Sequence, residues 1–201
     1  LSVLDLEPGE AGVDIFGGGG YYAELLAGMV GDTGKVILQN NAPYEKWVAD
    51  TLQERFVEQQ WVPIQVLKSE VDDLQLAPAS LDAALMVMSY HDLHYFAPDR
   101  GWGRTDVPAF LRQVFVALRP GARFVIVDHA AAPGSGASAA QNLHRIEDAY
   151  VEAELLAAGF AKVGSSEALR NPADARTKLV FDKSIRGGTD RFVLAFAKPL
   201  L

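Results

Sequence analysis

Residues 12–26 read GVDIFGGGGYYAELL. A short apolar run carrying one acid, Asp14, meets four consecutive glycines, Gly17, Gly18, Gly19 and Gly20. An amphipathic pattern follows, with Leu25, Leu26 and Met29 on one helical face. The order is strand, tight turn, helix. A Cβ in such a turn would hold the backbone away from a ligand lying across the helix start. The first N–H groups of a helix lack partners within it and present partial positive charge to a carboxylate or phosphate. A flexible glycine-rich loop is the alternative, but such loops rarely join a buried-type strand directly to a helix. The stretch points to a nucleotide-type cofactor without saying which one.

Outward from this stretch, strand-like and helix-like segments alternate. Strands are predicted over 12–16, 35–40, 63–67, 81–88 and 123–128, and helices over 21–30, 43 to about 59, 107–118 and 147–158. Pro43 suits a first helical turn, Arg119-Pro-Gly-Ala122 is a turn signal, and Gly159 suits a helix end. Strands over 161–167 and 191–198 close the chain. This alternation predicts an α/β domain with a mainly parallel sheet. At 201 residues and 49% hydrophobic content, the whole of 1–201 reads as one domain with a proper core. Two connections are long. Residues 130–140 are rich in Ala, Gly and Ser, and read as a lid or a connector. Residues 168–190 are polar, with Arg170, Asp174, Arg176, Asp182 and Arg186, and read as a crevice cover or a homodimer contact.

Composition excludes several classes. The net charge is −8 and no run of Lys or Arg builds a basic stripe, which argues against a nucleic-acid partner. With no cysteine there is no disulfide, thiol nucleophile or cysteine-based metal site. No apolar run approaches a membrane span, and residues 1–10 do not form a signal peptide. The expected location is the cytoplasm, or outside it if a leader upstream of Leu1 has been removed.

The order of elements and the glycine stretch resemble the class I S-adenosylmethionine-dependent methyltransferases. A closer likeness, over nearly the whole chain, is to a bacterial methyltransferase-like subgroup. It rests on GGGYY at 18–22, YHDL at 90–93, DH at 128–129, LHRI at 143–146, LRNP at 169–172 and RGGTDRF at 186–192. The resemblance implies a doubly wound, seven-stranded, mostly parallel sheet with an antiparallel last strand. It also implies S-adenosylmethionine as cofactor, S-adenosylhomocysteine as product, and a small-molecule methyl acceptor.

The resemblance assigns cofactor residues, with departures. The family's acid is followed by glycines at the second, fourth and sixth positions beyond it; after Asp14 these are Phe16, Gly18 and Gly20. The acid that ends the family's second strand and accepts the ribose hydroxyls is absent, and Leu38-Gln-Asn-Asn41 stands there. The amide oxygen of Asn40 is the remaining acceptor, weaker than a carboxylate. Glu70 would accept the adenine amino hydrogen, with the Val71 backbone at the ring edge, and Ser89 completes the set.

Four histidines cluster near predicted strand ends: His91 and His94 after the fourth strand, His129 after the fifth, and His144 in the next loop. A neutral imidazole suits proton removal from an acceptor near pH 7. His91 or His129 is the candidate base, oriented by Asp92 or Asp128, in a methyl transfer by in-line displacement. Tyr90, His94, Tyr95, His144 and Arg145 would shape the acceptor pocket. His91-Asp-Leu-His94 with His129 also offers donors to a divalent ion, but at no diagnostic spacing, so no metal is expected. Histidines hydrogen-bonded in a polar crevice without catalytic duty are the bland alternative.

Two other functions compete. Gly18-x-Gly20-x-x-Ala23 meets the relaxed dinucleotide pattern of an NAD(P)-binding oxidoreductase. None of the six tyrosines has a lysine four residues later, so the short-chain dehydrogenase pair is missing. The lost ribose acid motivates a non-catalytic cofactor-sensing module that keeps the fold.

Overall fold

The computed structural model describes residues 1–57 and 63–200. The strands are β1 (Ala11–Ile15), β2 (Lys35–Asn40), β3 (Ile64–Lys68), β4 (Leu81–Val87), β5 (Leu118–His129), β6 (Ala161–Ser166) and β7 (Arg191–Ala197). The helices are α1 (Tyr21–Val30), α2 (Ala42–Leu52), α3 (Val107–Ala117), α4 (Ala140–Leu143) and α5 (Asp148–Ala157). The strands form one sheet in the order β3-β2-β1-β4-β5-β7-β6. Only β7 runs antiparallel to its neighbours, β5 and β6. This is the doubly wound sheet implied by the resemblance. The strand order reverses between β1 and β4, and such a switch point opens a crevice at the carboxyl ends of the strands.

Successive side chains on a strand point to opposite faces, and the core follows that period. Val13 and Ile15 of β1, Ala84 and Met86 of β4, and Phe124 and Ile126 of β5 pack on one face with Phe110 and Leu111 of α3 and Leu155 of α5. Leu85 of β4, Val125 and Val127 of β5, and Val193 of β7 pack on the other with Leu26 of α1, Val48 of α2, and Leu4 and Leu6 near the start. Side-chain oxygens start two helices. Asn41 Oδ1 accepts from Tyr44 N–H at α2, and Asp106 Oδ1 accepts from Ala109 N–H at α3.

Three expectations are corrected. The helix expected from Pro43 to about Gln59 begins at Ala42, ends as an α-helix at Leu52, and continues as a π-helical turn over Gln53–Val57. Its expected last residues lie outside the described ones. The turn expected over 119–122 is instead the irregular first part of β5. Leu118 already pairs with Leu81, the register shifts before Ala83 meets Arg123, and Gly121 N–H donates to Lys198 C=O. The loop expected over 130–140 ends in the short helix α4.

Candidate functional site

A crevice of about 820 Å³ lies over the carboxyl ends of β1, β4 and β5. That volume suits a small-molecule or cofactor site. Gly17, Gly18 and Gly19 line it, with Tyr44 and Trp47 of α2, Trp102, and Val180 and Phe181 from the long 168–190 connection. Trp47 is 78% exposed and Phe181 55%. Large aromatic rings left in water at a crevice mouth are more informative than scattered apolar residues.

The glycines do different work. A Cβ on Gly17 would collide with the Asp14 carboxylate and Leu38, and one on Gly20 with Phe56. These two let the turn close on the protein. Gly18 has φ +56° and nothing within 4 Å of where its Cβ would lie, so the turn's open side is there. The end of β2 holds the turn. Asn40 Oδ1 accepts from Gly18 N–H and Asn40 Nδ2 donates to Gly18 C=O, both at 2.9 Å. Gln39 Oε1 accepts from Phe16 N–H at 3.2 Å. Phe16 itself has φ +53°, and its ring stacks on Tyr44 at 5.2 Å. Beneath the turn, Asp14 is buried and its Oδ2 has no hydrogen-bond partner among the described residues. Burial pushes its carboxyl up to about 7, partly offset by the Ala23 N–H.

Across the crevice His91 and His144 form a connected group with Asp92 and Asp128. His91 Nδ1 meets Asp128 Oδ1 at 2.8 Å, and Asp128 Oδ2 accepts the His91 backbone N–H. Burial pulls the His91 imidazole down, but Asp128 and Asp92 outweigh it and lift it to about 9. His91 Nε2 lies 3.2 Å from His144 Nδ1. The Tyr44 hydroxyl donates to Asp92 Oδ2 at 2.6 Å. His129 is separate: its Nδ1 meets Thr189 Oγ1 at 2.7 Å. Burial takes that imidazole down to about 4, aided by His91, Arg191 and Arg145 against the pull of Asp128.

No family model matches the sequence, and no curated protein matches it. Solved structures do. A SAM-dependent methyltransferase from Aquifex aeolicus superposes with a TM-score of 0.68 at 20% identity, over 96% of this chain and 84% of that one. An S-adenosylmethionine-dependent methyltransferase from Mesorhizobium loti gives 0.65 at 16% identity, over 98% and 94%. The [4+2]-cyclase SpnF gives 0.69 at 15% identity, over 100% and 78%. The fold is the class I methyltransferase fold.

Within this fold the expected site residues divide. Gly17, Gly18, Gly19, His91, His129 and His144 line the crevice. Asn40 turns inward onto Gly18 and is 1% exposed, so its amide is a clamp on the turn rather than an open ribose acceptor. Glu70 and Val71 line a neighbouring hollow of about 530 Å³, which shares Trp102 with the crevice. Ser89 is buried, its hydroxyl without a partner among the described residues, and does not line the crevice.

Three expected acceptor-pocket residues face elsewhere. The Tyr90 hydroxyl donates to Glu154 Oε2 at 2.8 Å and His94 Nε2 meets the same oxygen at 3.1 Å, which ties both to α5. Arg145 is fully buried, paired with Asp174 and donating to the carbonyls of Ala130 and Lys178. A short 3₁₀ segment over Tyr90–His94 sends neighbouring residues in different directions, which no strand-end argument foresees. Tyr44, Trp47, Trp102, Phe181 and Thr189 were missed. The signal available for Trp47 and Trp102 was a tryptophan within a polar segment.

Proposed function

We propose that this chain binds S-adenosylmethionine in the crevice and transfers its methyl group to a small-molecule acceptor. The observation that carries this reading is the glycine turn at the switch point, with Gly18 open to a crevice of cofactor size. The residues fit the cofactor at the turn, where Gly17, Gly18 and Gly19 would hold its amino-acid end. Glu70 and Val71 would hold the adenine in the adjoining hollow. The ribose end departs from the family pattern, because Asn40 is committed to Gly18. When bound, the cofactor supplies an electrophilic methyl on a sulfonium, and the protein's task is alignment and exclusion of water.

Of the two candidate bases, His129 is better supported. Thr189 Oγ1 can accept its Nδ1–H together with the Arg191 Nε–H, which leaves Nε2 of His129 to take the acceptor's proton. His91 has both ring nitrogens engaged, by Asp128 and by His144. Tyr95, Trp102 and Phe181 line the crevice beside the histidines and would wall the acceptor. The net charge of −8 favours a small molecule over a nucleic acid. The test is transfer of labelled methyl from S-adenosylmethionine across a panel of phenols, carboxylates, amines and thiols. Methyl incorporation that depends on His129 supports the reading. Cofactor binding without turnover on every member favours the sensing module.

A further inference from the structure

His91, Asp92 and His144 meet in a way that methyl transfer does not require. His91 Nε2, His144 Nδ1 and Asp92 Oδ1 form a triangle with edges of 3.2, 3.4 and 3.5 Å. Three donors on one face of a tetrahedral ion with bonds of ~2.05 Å lie ~3.3 Å apart. The triangle already has that size.

Each donor atom is also backed by a neighbour. Asp128 takes Nδ1 of His91 and holds the ring so that Nε2 faces the other two donors, an arrangement that commonly orients metal-bound histidines. The Tyr44 hydroxyl occupies Asp92 Oδ2 and leaves Oδ1 facing the imidazoles. Tyr95 and Phe181 pack on the ring of His144, with centroids 4.9 and 5.2 Å away. Asp92 Oδ1 only accepts, so whether His91 Nε2 and His144 Nδ1 carry one proton or two, at least one edge is left as two acceptors or two N–H groups facing each other. A cation satisfies all three together.

We propose that His91, Asp92 and His144 bind a divalent transition-metal ion, of the zinc, iron(II) or cobalt(II) class. Two imidazoles and a carboxylate suit these ions better than magnesium or calcium. All three residues line the crevice, so an ion held there would keep positions open to a ligand, as in catalytic rather than structural sites. This replaces the expectation of no metal. The donors weighed from sequence included His94 and His129, but the fold commits them to Glu154 and Thr189. His144, 53 residues from His91, takes their place. Metal binding stands without the methyl-transfer reading. Only the class of ligand at the open positions rests on it: an acceptor hydroxyl or carboxylate, whose proton a metal ion makes easier to remove.

The experiment titrates the full chain, stripped with chelator, with cobalt(II) chloride and no S-adenosylmethionine, following visible absorption. Saturation at one ion per chain with the intense bands of four- or five-coordinate cobalt is expected. His144→Ala and Asp92→Asn should each weaken binding by about 100-fold or more, while His94→Ala should leave it unchanged. Circular dichroism checks that each variant is folded, and the wild-type spectrum decides if one is not. Absence of saturation, weak octahedral bands, or unchanged affinity in folded His144→Ala and Asp92→Asn overturns the site. S-adenosylmethionine binding, measured separately on the metal-free chain, distinguishes that failure from failure of the methyl-transfer reading.

Discussion

Asp14 and Gly17 constrain each other. The buried carboxyl sits beneath the glycine, and a Cβ on Gly17 would strike it and Leu38. Gly17→Ala should therefore destabilise the fold by about 1–3 kcal/mol in denaturant titration, a cost of overpacking. The carboxyl itself carries a pH signature. Its folded value, about 7, lies above the ordinary 3.8, so folding favours the protonated acid. The cost of ionising it is absent below about pH 4, grows between pH 4 and 7, and stays constant above. Asp14→Asn is expected to leave the melting temperature unchanged at pH 4 and raise it at pH 8, a gain of at most about 4 kcal/mol. Equal effects at both pH values would show that the acid is not carrying this penalty. At the chemical end of the crevice, His129→Ala should lower kcat by about 10²–10⁴ and leave S-adenosylmethionine affinity unchanged. Loss of cofactor affinity instead would make His129 a wall of the cofactor site.

The 168–190 connection has no helix or strand, yet a buried polar network orders it. Arg145 reaches Asp174 and two carbonyls, Asp174 Oδ2 accepts the Asp190 N–H, and Arg176 pairs with Asp190 at 2.8 Å. This network carries Val180 and Phe181 to the crevice. Removing one partner of a buried pair strands the other, at about 3–5 kcal/mol. Arg145→Met should cost about that much, and hydrogen exchange should quicken at Val180 before it does in the sheet. Protection lost uniformly would argue against a local anchor. Sequence periodicity located most strands and helices to within a residue or two, because burial on one or both faces writes a repeat into the chain. The network left no such trace. Arg170, Asp174 and Arg176 were visible as charges, but a connection without a repeat does not say which charge meets which.

Across the whole molecule, the sheet order and its switch point placed the crevice, and the glycine stretch at 17–20 marked its floor from sequence alone. The crevice's chemistry was only half legible. Strand ends pointed to His91, His129 and the glycines. The direction of each side chain within Tyr90–His94, and the arrival of His144 beside His91, depended on a 3₁₀ turn and a left-handed residue, which composition does not encode. The same fold in methyltransferases and in the [4+2]-cyclase SpnF makes activity a property of these site residues rather than of the sheet. No helix among the described residues is long and apolar enough to cross a membrane. Calorimetric titration with S-adenosylmethionine, S-adenosylhomocysteine, NAD⁺ and NADP⁺ in parallel, on wild type and Gly18→Val, tests the central claim most directly. Saturable binding of the two sulfur compounds alone, lost in a folded Gly18→Val, is the expected result; binding of a nicotinamide cofactor alone, or no binding by folded wild type, would contradict it.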